Sequence, residues 1–203
     1  MGLPTMGKAK RKSRQRTRVI PLTLIDPLEA LQHLIEQFEN KGVIIGGIAA
    51  SLLGKPRLTV DLDAVILLGV DDLPTLIKLA AKLGMSTRIS DAESFARKNR
   101  VLLLQHNSSG INIDISLGIL PFESEMVKRG QEIKLRDLHL RLPTPEDLII
   151  MKAVARRPKD LEDIKAIAAV HADLDVPRIQ YWVEEFGAAL EIPELWSRIK
   201  SLL

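Results

Sequence analysis

Two aspartates one residue apart, Asp61 and Asp63, are the residues of this sequence best placed to do chemistry, since the segment around them has the character of a β-strand. Side chains of a strand alternate between its two faces, so the two carboxylates share one face with Thr59. Adjacent carboxylates repel each other and lose hydration, and a cation between them relieves both costs. Hard divalent ions commonly take one or two carboxylates together with substrate phosphates. The pair therefore predicts a Mg²⁺ or Mn²⁺ site facing a phosphorylated ligand, with solvated strand-face carboxylates as the alternative.

A pair of glycines precedes the aspartates. Gly46 and Gly47 follow the apolar run 43–45 and open a short helix-like stretch, residues 48–53, which Gly54 closes. Backbone N–H groups at the start of a helix stabilise a phosphate, and residues without a side chain let it come close. The pair predicts a phosphate-binding turn, and a tight turn without a ligand is the alternative.

A third carboxylate, Asp114, lies in the second strand of a predicted hairpin. The hairpin consists of the apolar stretch 101–105, a turn at residues 107–110 and the return strand 111–117. Strict alternation in the return strand puts Ile113 and Ile115 on one face and Asp114 on the other. A single carboxylate in the middle of such a strand requires a reason.

These residues resemble a known signature. Gly46-Gly47, thirteen intervening residues and then Asp61-x-Asp63 resemble the motif of the DNA polymerase beta-type nucleotidyltransferase superfamily. The preceding Arg57-x-Thr59 is similar to the abortive-infection, type IV toxin-like branch of that superfamily. A second stretch, residues 144–164 (TPEDLIIMKAVARRPKDLEDI), resembles the C-terminal motif of the same branch. The glycine pair departs from the commoner Gly-Ser, so no serine hydroxyl is available to the phosphates.

The resemblance implies an enzyme that moves a nucleotide from an NTP, such as ATP, to an acceptor hydroxyl on RNA (for example tRNA), a protein or a small molecule. It implies a catalytic, metal-binding set and a nucleotide-binding set. The first set is Asp61, Asp63 and Asp114; the second is Gly46, Gly47, Arg57, Lys152 and Lys159. The branch also implies a toxin of a toxin–antitoxin pair, with a protein antitoxin or other cognate partner.

Several of these assignments have alternatives. Arg57 either contacts phosphate or pairs with an acidic side chain to brace its loop. Asp160 and Asp163 share a helix face at i, i+3 and are expected to pair with Lys or Arg. Lys152 is either a ligand of the leaving pyrophosphate or a surface lysine. For the whole chain the alternative is a catalytically inactive binding or regulatory module with the same fold.

The surrounding elements predict an α/β (α+β) fold, a small mixed sheet with flanking helices followed by a C-terminal helical part. Helical periodicity is expected over residues 28–40, 73–83, 91–99 and 121–129, with one or two short strands within 131–142. After residue 143 every pattern is helical. A capping box at residues 144–147 opens the first of these helices, and Arg157-Pro158 interrupts it. Residues 18–25 are predicted to form a short edge segment.

Charge divides the chain. Residues 1–20 hold seven basic side chains and no acidic one, whereas the remaining 183 residues hold 22 basic and 26 acidic side chains. We expect a disordered basic tail at residues 1–17, either a bystander or an arm that attracts RNA or another polyanion. The nucleotidyltransferase-like domain is then predicted at 18–142 and the helical region at 143–203. No cysteine, secretory signal or membrane-length apolar run is present, so we expect a cytoplasmic protein without membrane contact.

Overall fold

A five-stranded mixed sheet forms the centre of the structure, a computed structural model that describes residues 20–203. The predicted basic tail lies outside the described residues. The strand order is β1-β2-β5-β4-β3, in which β2 and β5 are parallel and every other pair is antiparallel. The strands are β1 (Gly42–Ile45), β2 (Asp61–Ile66), β3 (Met85–Thr87), β4 (Val101–His106) and β5 (Asn112–Leu117).

Nine α-helices and a separate hairpin accompany the sheet within residues 20–203. The helices are α1 (Ile25–Glu36), α2 (Gly46–Leu53), α3 (Leu73–Lys82), α4 (Ala92–Asn99), α5 (Pro121–Arg129), α6 (Pro145–Ala155), α7 (Pro158–Ala168), α8 (Val176–Ala189) and α9 (Leu195–Ile199). The hairpin pairs β6 (Gln131–Leu135) with β7 (Leu138–Leu142). No helix among these residues is both long enough and apolar enough to span a membrane.

Period-two alternation explains which sheet face is buried. On β2 and β5 one set of alternate positions is apolar and inaccessible to solvent: Leu62, Ala64, Ile66, Ile113, Ile115 and Leu117. The opposite positions of β5 are polar and only half-buried, as the hairpin pattern predicted. The helices cover the apolar face, and one continuous cluster of buried hydrophobic side chains extends from Ile20 to Ile199.

Ion pairs as well as apolar contacts hold the C-terminal helices to one another and to α5. Arg178 on α8 donates to Asp147 on α6 at 2.8 Å and to Glu125 on α5 at 2.8 Å. Thr144 caps α6 by accepting a hydrogen bond from the backbone N–H of Asp147. The predicted capping box is therefore only half formed, because the carboxylate of Asp147 is engaged by Arg178 and lies 3.4 Å from Nε of Arg129.

The structure differs from the sequence analysis at three further places. Residues 22–24 form a short 3₁₀ helix that leads into α1, where an edge segment was expected. Strand β2 begins at Asp61, so Thr59, which was expected to share the strand face of the two aspartates, lies in the loop before the strand. Strand β3 was not predicted, because three residues are too few to show a period.

Candidate functional site

The predicted carboxylates meet in the middle of the sheet. Asp63 of β2 is the register partner of Ile45 on one side and of Asp114 on the other. Adjacent strands lie about 4.8 Å apart, so the parallel pairing of β2 with β5 brings two carboxylates 51 positions apart in sequence into one row. Asp61, two positions earlier on β2, faces the same side.

The glycine pair lies directly beside this row. Helix α2 begins at Gly46, its preceding residue Ile45 supplies no side-chain cap, and Gly46 has a φ of 65°. A Cβ at Gly46 would overlap the carboxylate of Asp63, and a Cβ at Gly47 would lie 2.6 Å from Oγ1 of Thr59. Only glycine therefore allows the helix start and the acidic strand to pack this closely. The uncapped N–H groups of the helix start suit an anion.

Electrostatics at Asp63 are those of a crowded anionic site. Burial raises the pKa of Asp63, and the negative charges of Asp61 and Asp114 raise it further, while Lys152 and Arg157 act in the opposite direction. Burial also raises the pKa of Asp114, and the adjacent Arg88 only partly offsets it. Such carboxylates are destabilised when ionised, and a bound cation would relieve that cost.

Two of the three carboxylates already have protein partners. The hydroxyl of Thr59 donates to Oδ1 of Asp61 at 3.1 Å, and the guanidinium of Arg88 pairs with Asp114. Across residues 20–203, no three acidic or histidine side chains are grouped closely enough to hold a metal ion by themselves. Because Mg²⁺ is commonly held by one or two carboxylates completed by substrate phosphates, Asp61 and Asp63 fit such an ion when a nucleotide shares it.

A buried ionic network braces the other wall of the site. Arg57 donates to both carboxylate oxygens of Asp163, at 2.8 and 3.0 Å. Lys152, whose side chain is only 4% exposed, lies 3.0 Å from Asp160 and 2.8 Å from Asp163. Arg157 also binds Asp160, at 2.8 Å. The predicted pairing of the two aspartates with basic residues is present, and Lys152 is neither a surface residue nor directed at open solvent.

Within this network the charged form of Asp160 is stabilised. Although burial alone would raise it, the pKa of Asp160 is lowered by hydrogen bonds from Arg157 and Lys152. Within this network alone, three cations share two buried carboxylates, which leaves one more positive than negative charge on this wall of the cleft. An excess of positive charge at this point favours a phosphate ligand.

A cleft of about 210 Å³ connects these parts. Its lining includes seven of the eight predicted site residues, all except Asp114: Gly46, Gly47, Arg57, Asp61, Asp63, Lys152 and Lys159. Arg157 and Lys159 stand at the cleft with exposed side chains, and Leu58 and Val60 contribute apolar surface. Asp114 is beside the cleft, joined to it through the strand pairing with Asp63.

Arg88 is the residue of the site that sequence reasoning missed. It follows the unpredicted strand β3 and lies 26 positions before its partner Asp114. No local pattern marks it, because its proximity to Asp114 depends on the pairing of β3 with β4 and of β4 with β5.

Comparisons with known proteins agree with this fold. The model of a family described as "Nucleotidyltransferase of unknown function (DUF6036)" matches residues 23–196. A search of curated proteins gave no match. An antigenic nucleotidyltransferase-like protein from Paracoccidioides brasiliensis superposes with a TM-score of 0.54 at 15% identity, covering 86% of this chain and 90% of that one. The antibiotic-resistance factor ANT(2'')-Ia gives 0.55 at 16% identity, covering 83% and 96%. At these identities the likeness shows the fold.

Proposed function

The chain belongs to the DUF6036 family of nucleotidyltransferases, and from that membership we propose that it transfers a nucleotide from an NTP to an acceptor hydroxyl with the help of Mg²⁺ or Mn²⁺. The observation that carries the proposal is the row in which Asp63 and Asp114 pair across two parallel strands beside the start of α2. A helix start, two half-exposed carboxylates and an excess of positive charge are the three features that a metal-bound triphosphate needs.

Each residue of the cleft is assigned a role from its position. The N–H groups of Gly46 and Gly47 bind the β- and γ-phosphates, and Asp61 and Asp63 would hold a divalent ion when a nucleotide is present. Such an ion, once bound, stabilises the charge that develops on the phosphate oxygens. Arg157 and Lys159, at the cleft, neutralise the leaving pyrophosphate. Lys152 contributes through its charge and through its hold on Asp160 and Asp163.

Asp114 acts as the general base for the acceptor hydroxyl. The acceptor oxygen forms a bond to the α-phosphorus while the bond to pyrophosphate breaks, and Asp114 takes the hydroxyl proton. The same carboxylate is the third ligand in the proposed metal-binding set. Its position beside the cleft rather than in its lining suits a group that acts on the incoming molecule.

We further propose ATP or another NTP as donor and RNA, a protein or a small molecule as acceptor. The role of a toxin with an antitoxin partner, the recruitment of RNA by residues 1–17 and a cytoplasmic location remain predictions from the sequence. Fold relatives include the antibiotic-resistance factor ANT(2'')-Ia, so a small-molecule acceptor stays among the candidates.

The test is the contrast between two isosteric variants. The full chain is incubated with each labelled NTP, Mg²⁺ or Mn²⁺ and total cell RNA, protein or small-molecule extracts, and transferred label is counted. Asp61→Asn should lose both metal-dependent NTP binding, measured by calorimetry, and transfer. Asp114→Asn should keep most NTP binding yet lose transfer by about 10²–10⁴-fold, the usual contribution of a general base.

The control is Asp173→Asn, which changes an exposed aspartate outside the cleft. Metal-dependent NTP binding that is equal in the wild type and Asp61→Asn would contradict the metal assignment. Transfer by Asp114→Asn at the wild-type rate would make Asp114 a structural strand residue. NTP binding without transfer to any acceptor would favour the inactive, regulatory module.

A further inference from the structure

Two apolar side chains in the lining of the cleft, Leu58 and Val60, are left uncovered. They are 76% and 69% exposed, the highest values among the large apolar side chains of residues 20–203. Both line the cleft together with the glycine pair and the two aspartates of β2. Exposed apolar surface rimmed by polar residues is typical of a place where a ligand or partner binds. We call Leu58 and Val60 the apolar pair.

The loop before β2 fixes the direction of the apolar pair. Its two alternate side chains are held inward: Arg57 binds both carboxylate oxygens of Asp163, and the buried hydroxyl of Thr59 donates to Asp61. Nη1 of Arg57 also donates to the carbonyl oxygen of Leu58 at 3.4 Å. With residues 57 and 59 held inward, the side chains of residues 58 and 60 remain in solvent, an alternation typical of an extended segment.

The neighbours of the apolar pair point to the donor nucleotide rather than to the acceptor. The groups assigned to the triphosphate line the same cleft, whereas Asp114, assigned to the acceptor, does not line it. Val60 immediately precedes Asp61, and Leu58 is three residues away from Asp61, at most about 10 Å along the chain. That span is comparable to the length of the nucleoside that extends from the triphosphate.

The chemistry of the apolar pair matches the face of a nucleobase. The two faces of a base are apolar, whereas its hydrogen-bonding groups lie at its edges. Leucine and valine side chains have no donor or acceptor, so they can cover a face but cannot read an edge. Their contribution to affinity increases with the apolar area that they cover. It should therefore be equal for adenine and guanine and smaller for the pyrimidines.

We infer that the apolar pair covers one face of the base of the donor NTP and thereby favours purine over pyrimidine nucleotides; this inference rests on the proposed function. The glycine pair fixes the triphosphate at one end of the bound NTP, and the apolar pair fixes the base at the other. Because Arg57 and Thr59 already hold the loop, the two side chains are in place before the nucleotide arrives. Covering them removes apolar surface from water, a gain that the free protein does not have.

The test compares nucleotides with a ligand that has no base. The full chain is titrated by calorimetry, in the presence of Mn²⁺, with the α,β-methylene analogues of ATP, GTP, CTP and UTP and with inorganic tripolyphosphate. Leu58→Ser and Val60→Ser should each weaken binding of the purine analogues by about five- to tenfold, as expected when an aliphatic side chain no longer covers the base. The loss should be equal for the ATP and GTP analogues and smaller for the CTP and UTP analogues. Affinity for tripolyphosphate should not change.

Leu22→Ser and Val170→Ser are the matched controls, because these side chains are 68% and 60% exposed and do not line the cleft. Both should bind every ligand as the wild type does. Leu58→Met keeps the apolar surface and should keep the affinity for the purine analogues. The serine variants change exposed side chains, so their unfolding midpoints should match that of the wild type, and differences in affinity report on the contact with the ligand.

The two proposals fail in different ways. If the wild type binds neither the nucleotide analogues nor tripolyphosphate with Mn²⁺, the proposed function fails. If the wild type, Leu58→Ser and Val60→Ser bind the analogues equally well, the inference is overturned, the apolar pair is left to an acceptor or a protein partner, and the donor site stands. An equal loss of affinity for the analogues and for tripolyphosphate would also overturn the inference, because the variants would then act on the phosphate site.

Discussion

At the scale of single residues, the site brings together groups whose proximity costs free energy. Asp63 is half-buried beside two other carboxylates, and Gly46 is held at a positive φ where a side chain would overlap Asp63. Neither arrangement stabilises the fold. Both suit a ligand that supplies positive charge to the carboxylates and negative charge to the helix start.

Gly46→Ala should abolish metal-dependent NTP binding, because its Cβ would displace the carboxylate of Asp63. Gly84→Ala is the matched control, since Gly84 also has a positive φ, 76°, but a Cβ there has no atom within 4 Å. Each variant should lose about 1–2 kcal/mol of unfolding free energy from the left-handed backbone conformation. Urea unfolding and calorimetry with NTP and Mn²⁺ measure the two effects. Normal NTP binding by Gly46→Ala would contradict the proposed role of this turn.

The ionisation of Asp63 should appear in the pH dependence of stability. Its pKa is raised in the folded protein, so between the unfolded value, about 3.9, and the folded value the folded state binds more protons than the unfolded state. Stability therefore falls as pH rises through that window and stays reduced above it. We expect Asp63→Asn to be more stable than the wild type in EDTA at pH 7, with the difference shrinking towards pH 4. Urea unfolding across that range would refute this reasoning if the variant were less stable at every pH.

At the scale of elements, α6 and α7 act as a brace for the loop before β2. The break at Arg157-Pro158 lets α7 turn back so that Asp160 and Asp163, one turn apart, both face Lys152 on α6. Asp163 in turn holds Arg57 from the loop. The second resemblance in the sequence thus corresponds to a structural unit that positions positive charge beside the cleft.

The variants Lys152→Met and Lys159→Gln should distinguish a residue that stabilises the fold from one that binds the NTP. Lys152 is buried between two carboxylates, and removing it breaks its ion pairs with both, so that each carboxylate keeps a single arginine partner. We expect a loss of about 3 kcal/mol in unfolding free energy, at the low end for a broken buried ion pair. Lys159 is exposed, so Lys159→Gln should leave stability within about 0.5 kcal/mol and weaken NTP binding instead. Thermal unfolding and NTP titration distinguish the two. Unchanged stability of Lys152→Met would show that the network is not a brace.

At the scale of the whole molecule, we propose that the predicted regions 18–142 and 143–203 fold as one unit. The buried cluster is continuous between them. Polar contacts also cross the division, from Arg57 to Asp163 and from Nε2 of His171 to the carbonyl oxygen of Leu53 at 2.8 Å. The site requires both regions, because the glycine pair and the carboxylates come from the first and Lys152 and Lys159 from the second.

Thermal unfolding should accordingly be a single transition. Where the two regions share one core, the calorimetric enthalpy equals the van't Hoff enthalpy. Arg57→Gln should lower the midpoint of that transition without splitting it. Two resolved transitions, or a stable fragment of residues 1–142 with native-like circular dichroism, would show instead that the regions fold independently.

Local patterns in the sequence were sufficient to predict most of the helices, the face of Asp114 and the fold. Alternation in residues 111–117 predicted the face of Asp114, helical periodicity predicted most helices, and the two motifs predicted the nucleotidyltransferase fold that the family match and the structural relatives confirm. Such signals depend on a period of two or 3.6 residues and on motif spacing, all of which are present within a short window. Site roles, metal and acceptor stay predictions.

Only the tertiary structure decided what the site residues contact. The parallel pairing of β2 with β5 placed Asp63 next to Asp114, and the contact of Arg57 with Asp163 joins residues 106 positions apart. Arg88 became a neighbour of Asp114 through β3, a strand too short for any period to mark. The periodicity of apolar residues shows which face of a strand or helix a side chain occupies. Its contact partner depends on which strands and helices, often distant in sequence, pack together. Which elements pack together depends on burial of apolar surface across the whole core, and no short stretch of sequence is enough to predict it.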